Sequence, residues 1–371
     1  MSASKHPDVV VVGAGIAGLS IAWELSRRGQ AVTVLRSNRP AASPIAAGML
    51  APMPEVASNP PLGRLATEGL RYYPDFLEAL ADETDRPTGF IRSGLLRIAY
   101  SAEEAVALRE AVGQYEAAGM PSRWLSPAAA AKDVPGLGTV GLAGGLLSFD
   151  EAQVQPAWLL AALEDGIVAR GGEVVEAEVE AVEEAGDSAH VRTGDGVMAA
   201  GRAVLALGSW SGTLPGLDYP VRPVKGQLLA FPAGAPGPEV IIYRDHNYLL
   251  TKADGTVVLG GTVETDAGFS VTPDERVEEL RRLLPVLWPG LVGAEADVRV
   301  GLRPAAPDGL PVIGGLPSLP HTYIFTAHYR NGFLLSPYSA RLAADEILEA
   351  REAPLLRPMR PGRLSVEAPS Q

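Results

Sequence analysis

A strand, a glycine-rich turn and a helix follow one another near the N-terminus of this chain. The strand is the valine run over 9–12, and a helical pattern that ends at Gly29 precedes a second strand over 31–35. The turn lets backbone N–H groups approach a pyrophosphate at the helix N-terminus. A Gly-x-Gly-x-x-Gly motif in this complete context predicts a Rossmann-like dinucleotide site. Its cofactor-binding residues are Gly13, Gly15, Ile16, Ala17 and Gly18.

The residue that normally completes this motif is absent. An Asp or Glu about 20 residues past the glycines usually binds the adenosine ribose, but this chain has Arg36 there, followed by Ser37 and Asn38. One interpretation is that Arg36 accepts a 2′-phosphate, which would make the ligand NADP. We favour the other, in which Arg36 turns toward solvent or a phosphate while Ser37 or Asn38 serves the ribose.

Composition excludes several classes of function. The chain has 371 residues, 47% of them hydrophobic, and a net charge of −13, which disfavours nucleic acid and anionic membranes as partners. No apolar run approaches ~18 residues, and no signal-peptide core is present, so we expect a cytoplasmic protein. The absence of cysteine excludes disulfides, thiolate metal sites, thiol nucleophiles and a cysteinyl flavin link. We predict no metal site.

Two kinds of segment alternate along the chain. Residues 1–60, 141–215 and 298–371 carry helix–glycine–strand patterns of the first unit, whereas 61–140 and 216–297 do not. We therefore predict an α/β fold, in which a Rossmann-like domain assembled from separated segments holds an inserted substrate domain with an antiparallel sheet and a helix. The strands expected are 94–99, 173–179, 202–207, 222–232, 240–251, 256–263, one that ends with residues 301–303, and 322–326, and the helices expected are 64–81, 102–118, 156–170, 273–287 and 337–350.

Four further motifs carry a family resemblance. They are Ala46–Pro52, Val221–Gln227, Gly301–Pro304 with 307–309, and His328–Gly332. With these motifs the chain resembles the glycine oxidases, which belong to the D-amino-acid-oxidase family of FAD enzymes, and the similarity extends over nearly the whole chain. Arg36 is the departure, because the family usually has an acidic residue there.

The resemblance implies noncovalent FAD and oxidative deamination of glycine or a similar small amine, such as sarcosine or a small D-amino acid. A hydride would pass from the substrate Cα to flavin N5, giving an oxoacid, ammonia or an amine, and, with molecular oxygen, hydrogen peroxide. A homo-oligomer and a place in thiamine precursor supply are also expected. The nearest alternative is a dehydrogenase that passes electrons to a quinone or another carrier. An NADP-dependent reductase and a noncatalytic nucleotide-binding module are the others.

Five residues are candidates for the chemistry. Arg303 lies in an apolar strand end, where a guanidinium needs a partner, and a substrate carboxylate would provide one. The alternative is a structural pair with Asp308 or another acid. Arg330 is open between substrate contact and a structural role. His246 and Tyr248, two apart on one expected strand, would share a face. Tyr248 would be a pocket wall or a hydroxyl donor, and His246 either a proton acceptor or a hydrogen-bonded structural residue. Met49 is expected to face the flavin, with core filling as the alternative.

The resemblance implies further cofactor contacts. A helix N-terminus near the flavin pyrimidine would stabilise the negative charge of the reduced ring, and Val174 would place its backbone against the adenine. The remaining contacts expected are Ala46, Ala47, Gly48, Met49, Leu50, Gly208, Trp210, Arg303, Arg330, Asn331, Gly332, Phe333 and Leu334.

Overall fold

The computed structural model describes residues 6–56, 59–217 and 219–364. The α-helices of these residues are α1 (Ile16–Arg27), α2 (Pro52–Val56), α3 (Pro60–Ala81), α4 (Ala102–Ala117), α5 (Pro127–Asp133), α6 (Pro156–Ala169), α7 (Val277–Leu287) and α8 (Gly332–Glu349). The strands are β1 (Val9–Val12), β2 (Val32–Arg36), β3 (Met49–Leu50), β4 (Leu95–Ala99), β5 (Ser122–Leu125), β6 (Gly144–Ser148), β7 (Ala152–Gln153), β8 (Glu173–Glu176), β9 (Val179–Ala185), β10 (Ser188–Thr193), β11 (Gly196–Ala200), β12 (Arg202–Leu205), β13 (Arg222–Phe231), β14 (Ile241–Arg244), β15 (Asn247–Thr251), β16 (Val257–Gly260), β17 (Asp297–Ala305), β18 (Val312–Leu316) and β19 (Leu319–Thr326).

A six-stranded sheet forms the centre of the nucleotide-binding part. Its order is β18-β19-β12-β1-β2-β8, and β1 lies parallel to both β12 and β2. The four valines of β1 are all buried, as expected of a strand covered on both faces. α1 packs against α6 and α8, and the Trp23 ring meets Phe76 of α3 edge-on at 5.3 Å between centroids. The predicted βαβ unit is confirmed.

The second large sheet has eight strands in the order β17-β13-β16-β15-β14-β4-β6-β5. The pairing of β13 with β17 is antiparallel over nine residues, and it sets Val224 opposite Arg303. One face is covered by α7, whose Leu280, Leu284 and Leu287 are buried in a common core with Leu229 and Leu259. The expected antiparallel sheet with a helix is therefore present, and the predicted fold class is confirmed.

Three predicted elements differ most from their expected limits. The expected strand 173–179 is two strands: β8 ends at Glu176, and β9 begins a three-stranded antiparallel sheet with β10 and β11 that the sequence interpretation missed. The expected strand 240–251 is the hairpin β14–β15. Its two-residue turn contains Asp245 at φ 56°, which a continuous strand does not allow.

The last helix begins at Gly332, five residues before the expected start at Pro337. A proline inside a helix leaves the carbonyl four residues earlier without a donor. Here that carbonyl belongs to Phe333, and the Tyr73 hydroxyl donates to it at 2.6 Å. A partner from α3 thus allows the helix to continue through Pro337.

Two strands and one helix do not follow the expected domain limits. β6 and β17 both belong to the eight-stranded sheet, although 141–215 and 298–371 were assigned to the nucleotide-binding domain. α3 packs on α8, although 61–140 was assigned to the substrate domain. The reason is that strands and helices join the layer that buries their apolar face, whatever their neighbours in sequence. The division into two domains stays a proposal.

Candidate active site

A cavity of about 480 Å³ opens between the two large sheets. One end is lined by the glycine turn and by residues 35–39, which comprise the end of β2 and the loop after it. The other end is lined by Met49, Tyr248, Arg303 and Arg330. The arrangement joins a dinucleotide end to a polar end that carries two guanidinium groups.

The glycine turn fits a pyrophosphate. Gly13 has φ +114°, and a Cβ built there would lie 2.3 Å from the carbonyl oxygen of Ala206. The first turn of α1 has no acidic side chain, so the positive end of the helix dipole stays available to an anion. The Ile16 N–H already donates to the Ser43 hydroxyl at 3.0 Å. These residues fit the diphosphate of FAD. Position 13 has to be glycine because a side chain there would collide with the backbone of Ala206, just past the end of β12.

Arg36 is engaged by a carboxylate of the protein. Its Nη2 donates to Glu164 of α6, about one third of each side chain being exposed. The guanidinium lines the cavity, but its charge is already balanced. The pairing removes the reason to expect a 2′-phosphate ligand at this position.

Arg303 lies at the polar end of the cavity, where its guanidinium packs against the backbone of β13. Gly226 faces it from the neighbouring strand β13, and a Cβ built on Gly226 would lie 2.3 Å from the Arg303 Cζ and both terminal nitrogens. Only glycine leaves room for a planar guanidinium there. Gly226 is within the Val221–Gln227 motif, so this motif indicated the correct region of the site. The need for glycine at position 226 follows only from the register of β13 with β17.

Arg303 has no carboxylate partner among the described residues. Its Nη1 donates to the backbone oxygen of Thr262 at 2.8 Å. The alternative pair with Asp308 is contradicted, because Arg363 binds that carboxylate at 2.7 Å. Burial lowers the pKa of Arg303, and the charge of Arg330 lowers it further. An anion in the cavity would relieve both effects.

Arg330 is in the opposite situation. Nε and Nη2 donate to the two oxygens of Glu55 at 2.8 and 2.9 Å, and Nη2 also donates to the backbone oxygen of His246 at 2.8 Å. Burial opposes its charge, but Glu55 outweighs this and raises the pKa of Arg330. Nη1 is buried without a hydrogen-bond partner in the described part of the chain. Arg330 is thus held by Glu55, with one nitrogen unused.

His246 is not on the strand with Tyr248. It occupies the two-residue turn between β14 and β15, where its side chain is exposed and its backbone oxygen binds Arg330. Tyr248 is buried on β15 and lines the cavity. The expectation of a shared face is wrong because the strand break at Asp245 changes the direction of the chain.

A strained turn faces the cavity before α8. Ala327 and Tyr329 have φ values of 60° and 51°, although neither is glycine, and both line the cavity with His328 between them. Such conformations cost about 1–3 kcal/mol each and concentrate at functional sites. Burial lowers the pKa of His328 to about 3, so its ring is neutral. Tyr329 belongs to the motif His328–Gly332, but it was not among the residues predicted for the site.

A buried lysine binds the backbone of the loop that precedes Met49. Lys252 donates to the backbone oxygens of Ala47 and, at 2.7 Å, Val154. Val154 N–H in turn donates to the oxygen of Gly48 at 2.9 Å. Gly48 therefore contacts the protein and not the cavity.

Most of the predicted site residues come together around the cavity. Those that line it are Gly13, Gly15, Ile16, Ala17, Arg36, Ser37, Ala46, Ala47, Met49, Gly208, Trp210, Tyr248, Arg303, Arg330, Gly332 and Phe333. Their contacts with a cofactor or substrate stay predictions.

Seven predicted residues do not line the cavity. These are Gly18, Gly48, Leu50, Val174, His246, Asn331 and Leu334. Gly18 packs against the backbone of Gly13, and Leu50 and Leu334 are fully buried in the core. Val174 pairs with Val34 inside the sheet, and Ala177 to Val179, beyond the strand end, line the cavity in its place.

Sequence reasoning also missed residues of the site. Glu55 had no local signal, since its partner Arg330 is 275 positions away. Thr262 acts through its backbone, which no side-chain pattern reports. Glu178 lies beside the end of β2 only because β8 pairs with that strand.

The geometry and the sequence agree on a class of protein. The sequence model of the DAO family, described as FAD dependent oxidoreductase, matches residues 8–346. The chain belongs to this family, and its cofactor is FAD. This finding sets aside the NADP-dependent reductase and the noncatalytic module.

The similar proteins narrow the class further. Glycine oxidase of Geobacillus kaustophilus is 31% identical over 357 residues, with 93% of each chain covered. Its crystal structure superposes with a TM-score of 0.89 at 29% identity, over 98% of this chain and all of that one. The bifunctional protein ThiO/ThiG of Nostoc sp. is 34% identical over 94% of this chain, which spans 54% of the length of that relative. The protein is an FAD-dependent oxidoreductase that is similar to glycine oxidases over nearly its whole length.

Two absences apply to the described residues. None of their helices is both long and apolar enough to cross a membrane. They also contain no group of three or more His, Asp or Glu side chains placed to hold a metal ion.

Proposed function

We propose that the protein deaminates glycine or a similarly small amine, such as sarcosine or a small D-amino acid, by oxidation. The observation that carries this proposal is Arg303, a guanidinium that faces the cavity and has only a backbone carbonyl as partner among the residues that the structure describes. A buried cation without a counterion costs several kcal/mol. A substrate carboxylate bound by the planar fork compensates this cost and orients the substrate at the same time.

The other residues of the polar end limit and orient the substrate. Tyr248 and Met49 line the space beside Arg303 and restrict the size of the group on the substrate Cα. Arg330 is balanced by Glu55, so within the described part of the chain the cavity offers one uncompensated positive charge, that of Arg303, which suits a substrate with one carboxylate. Glycine, sarcosine and small D-amino acids meet both conditions.

The redox chemistry belongs to the cofactor. FAD held by the glycine turn and the ends of β2 and β12 would supply the redox chemistry: a hydride acceptor at N5 for the substrate Cα–H, and a route by which this electron pair and the proton released by the amine reach oxygen as hydrogen peroxide. The residues of the chain hold the carboxylate, orient the Cα–H bond and exclude water from this end of the cavity. The imine that leaves the site hydrolyses to an oxoacid and ammonia, or to an oxoacid and an amine.

The cellular setting is part of the proposal. The similarity to ThiO/ThiG proteins supports a place in thiamine precursor supply. The acidic net charge of −13 supports a protein that binds neither nucleic acid nor anionic membranes. Cytoplasmic localisation, oxygen as acceptor and a homo-oligomeric state stay predictions.

The decisive experiment follows the flavin colour and the peroxide separately. The purified yellow protein is mixed anaerobically with glycine, sarcosine, D-alanine or methylamine, the last being a control amine without a carboxylate. We expect the first three to bleach the flavin and methylamine to leave it oxidised. In air, the same three should generate peroxide. Bleaching without peroxide, together with rapid dye reduction, would instead identify the carrier-linked dehydrogenase, and no bleaching by any carboxylated amine would refute the proposal.

A further inference from the structure

The ribose end of the cavity has an acid in an unusual place. Rossmann-type sites usually bind the adenosine ribose with an Asp or Glu near the end of the second strand. In this chain that position is Arg36, and Glu164 already neutralises it. The carboxylate that faces the cavity beside this strand end is Glu178. It lies two residues beyond the end of β8, which pairs in parallel with β2 and sets Glu176 opposite Arg36.

We propose that Glu178 binds the adenosine ribose hydroxyls of FAD in place of the missing acid on β2. The carboxylate is already oriented toward the loop that follows β2: Oε1 accepts from the Asn38 N–H at 3.1 Å, and Oε2 lies 2.9 Å from Nε of Arg39. These two contacts hold the side chain and leave lone pairs on both oxygens. Two neighbouring hydroxyls match the two oxygens of one carboxylate.

Charge decides between Glu178 and its neighbours. Ser37 and Asn38 also line this end of the cavity, but they are neutral, and hydrogen bonds to a carboxylate are roughly twice as strong as neutral ones. The pair of Glu178 with Arg39 does not compete strongly, because both side chains are 40–48% exposed and exposed ion pairs contribute little. Parallel strands end at the same edge of the sheet, so the acid can move to the adjacent strand and reach the same ligand group.

The inference concerns the cofactor and does not depend on the identity of the substrate. Its test uses the full-length protein stripped of flavin and titrated with FAD, or with an FAD analogue that lacks both adenosine ribose hydroxyls, while flavin fluorescence is followed. The variants are E178Q and, as a matched control, E176Q, which removes an exposed carboxylate outside the cavity at the end of β8, two residues before Glu178.

We expect E178Q to weaken FAD binding about tenfold or more, because charge-assisted hydrogen bonds are lost. E176Q should bind FAD as the wild type does. With the dihydroxyl-free analogue, wild type and E178Q should bind alike. Unchanged FAD affinity in E178Q would overturn the assignment, and so would an equal loss for FAD and the analogue, which would mean that Glu178 acts only by holding the loop.

Discussion

Two arginines of the cavity show how a partner determines what a charged side chain can do. Arg330 donates twice to Glu55, and this carboxylate keeps its charge stable inside the protein. Arg303 has only the oxygen of Thr262, and burial lowers its pKa. The first is a completed structural pair, whereas the second stays incomplete until an anion binds. Residue type alone could not distinguish them.

The role of Arg303 predicts the kinetics of its substitution. R303L should raise the KM for glycine about 10²–10⁴-fold, because two charge-assisted hydrogen bonds of about 1.5–3 kcal/mol each are lost. The flavin content, measured from the visible absorbance per protein, should not change. R303K serves as the matched control, because it retains the charge without the planar fork. Its KM for glycine should lie between those of the wild type and R303L. A KM within a factor of two of the wild-type value would remove Arg303 from the substrate site.

The segment after β16 contains a buried polar network that reaches Arg303. The backbone oxygen of Thr262 accepts from Arg303. The hydroxyl of the same residue accepts from the Gln227 N–H at 2.6 Å and donates to Glu264 at 3.0 Å. Glu264 is held by Lys225 at 3.0 Å, and both side chains are almost fully buried. The opposite sides of β13 therefore have different tasks: Gly226 makes room for the guanidinium, and its two neighbours bind the segment that orients it.

This network predicts a difference between two substitutions of Thr262. T262V deletes the hydroxyl and leaves the Gln227 N–H and Glu264 each short of a partner, which costs about 1–3 kcal/mol. T262S keeps the hydroxyl. We expect T262V to lower the urea midpoint and to raise the KM for glycine several-fold, with T262S close to the wild type in both. If T262V changed only the urea midpoint, the network would support the fold without orienting Arg303.

Two buried ionisable groups connect the stability of the molecule to pH. Burial raises the pKa of Glu151 to about 7, and burial lowers the pKa of Lys252 to about 7. Between its usual pKa and 7, Glu151 is protonated only in the folded state, so its contribution to stability falls as pH rises from 4.5 to 7. The neutral ring of His328 opposes this fall, because that residue is protonated only in the unfolded state between about pH 3 and 6.5. Between pH 7 and 10.5, Lys252 is protonated only in the unfolded state, so stability rises with pH.

These opposite slopes can be measured with urea unfolding at pH 5, 7 and 9. E151Q should remove the contribution of Glu151, so the free energy of unfolding of the wild type relative to E151Q should fall by about 2 kcal/mol between pH 5 and 7. K252M should remove the rise between pH 7 and 9, although its loss of two backbone hydrogen bonds lowers stability at every pH. Each variant is the control for the other, because it should leave the other's slope intact. Profiles parallel to that of the wild type would contradict the assignment.

The amino-acid sequence determined the elements whose signals are local. The valine run, the glycine turn and the helix over 16–27 interact with neighbours in sequence, so periodicity and turn chemistry predicted them. The motif around Arg303 identified the correct strand for the same reason. The hairpin turn that contains His246 was missed because a single non-glycine residue at positive φ leaves almost no signal in the sequence.

Tertiary structure alone decided which charges are paired and which face the cavity. Glu55 meets Arg330 across 275 positions, Glu164 meets Arg36 across 128, and Gly226 lies beneath Arg303 only through the register of β13 with β17. Such partners are set by how the two sheets pack and align, and this packing depends on the summed burial of many residues. A pattern read along the chain contains neither distance nor exposure, and the electrostatics of a site depend on both.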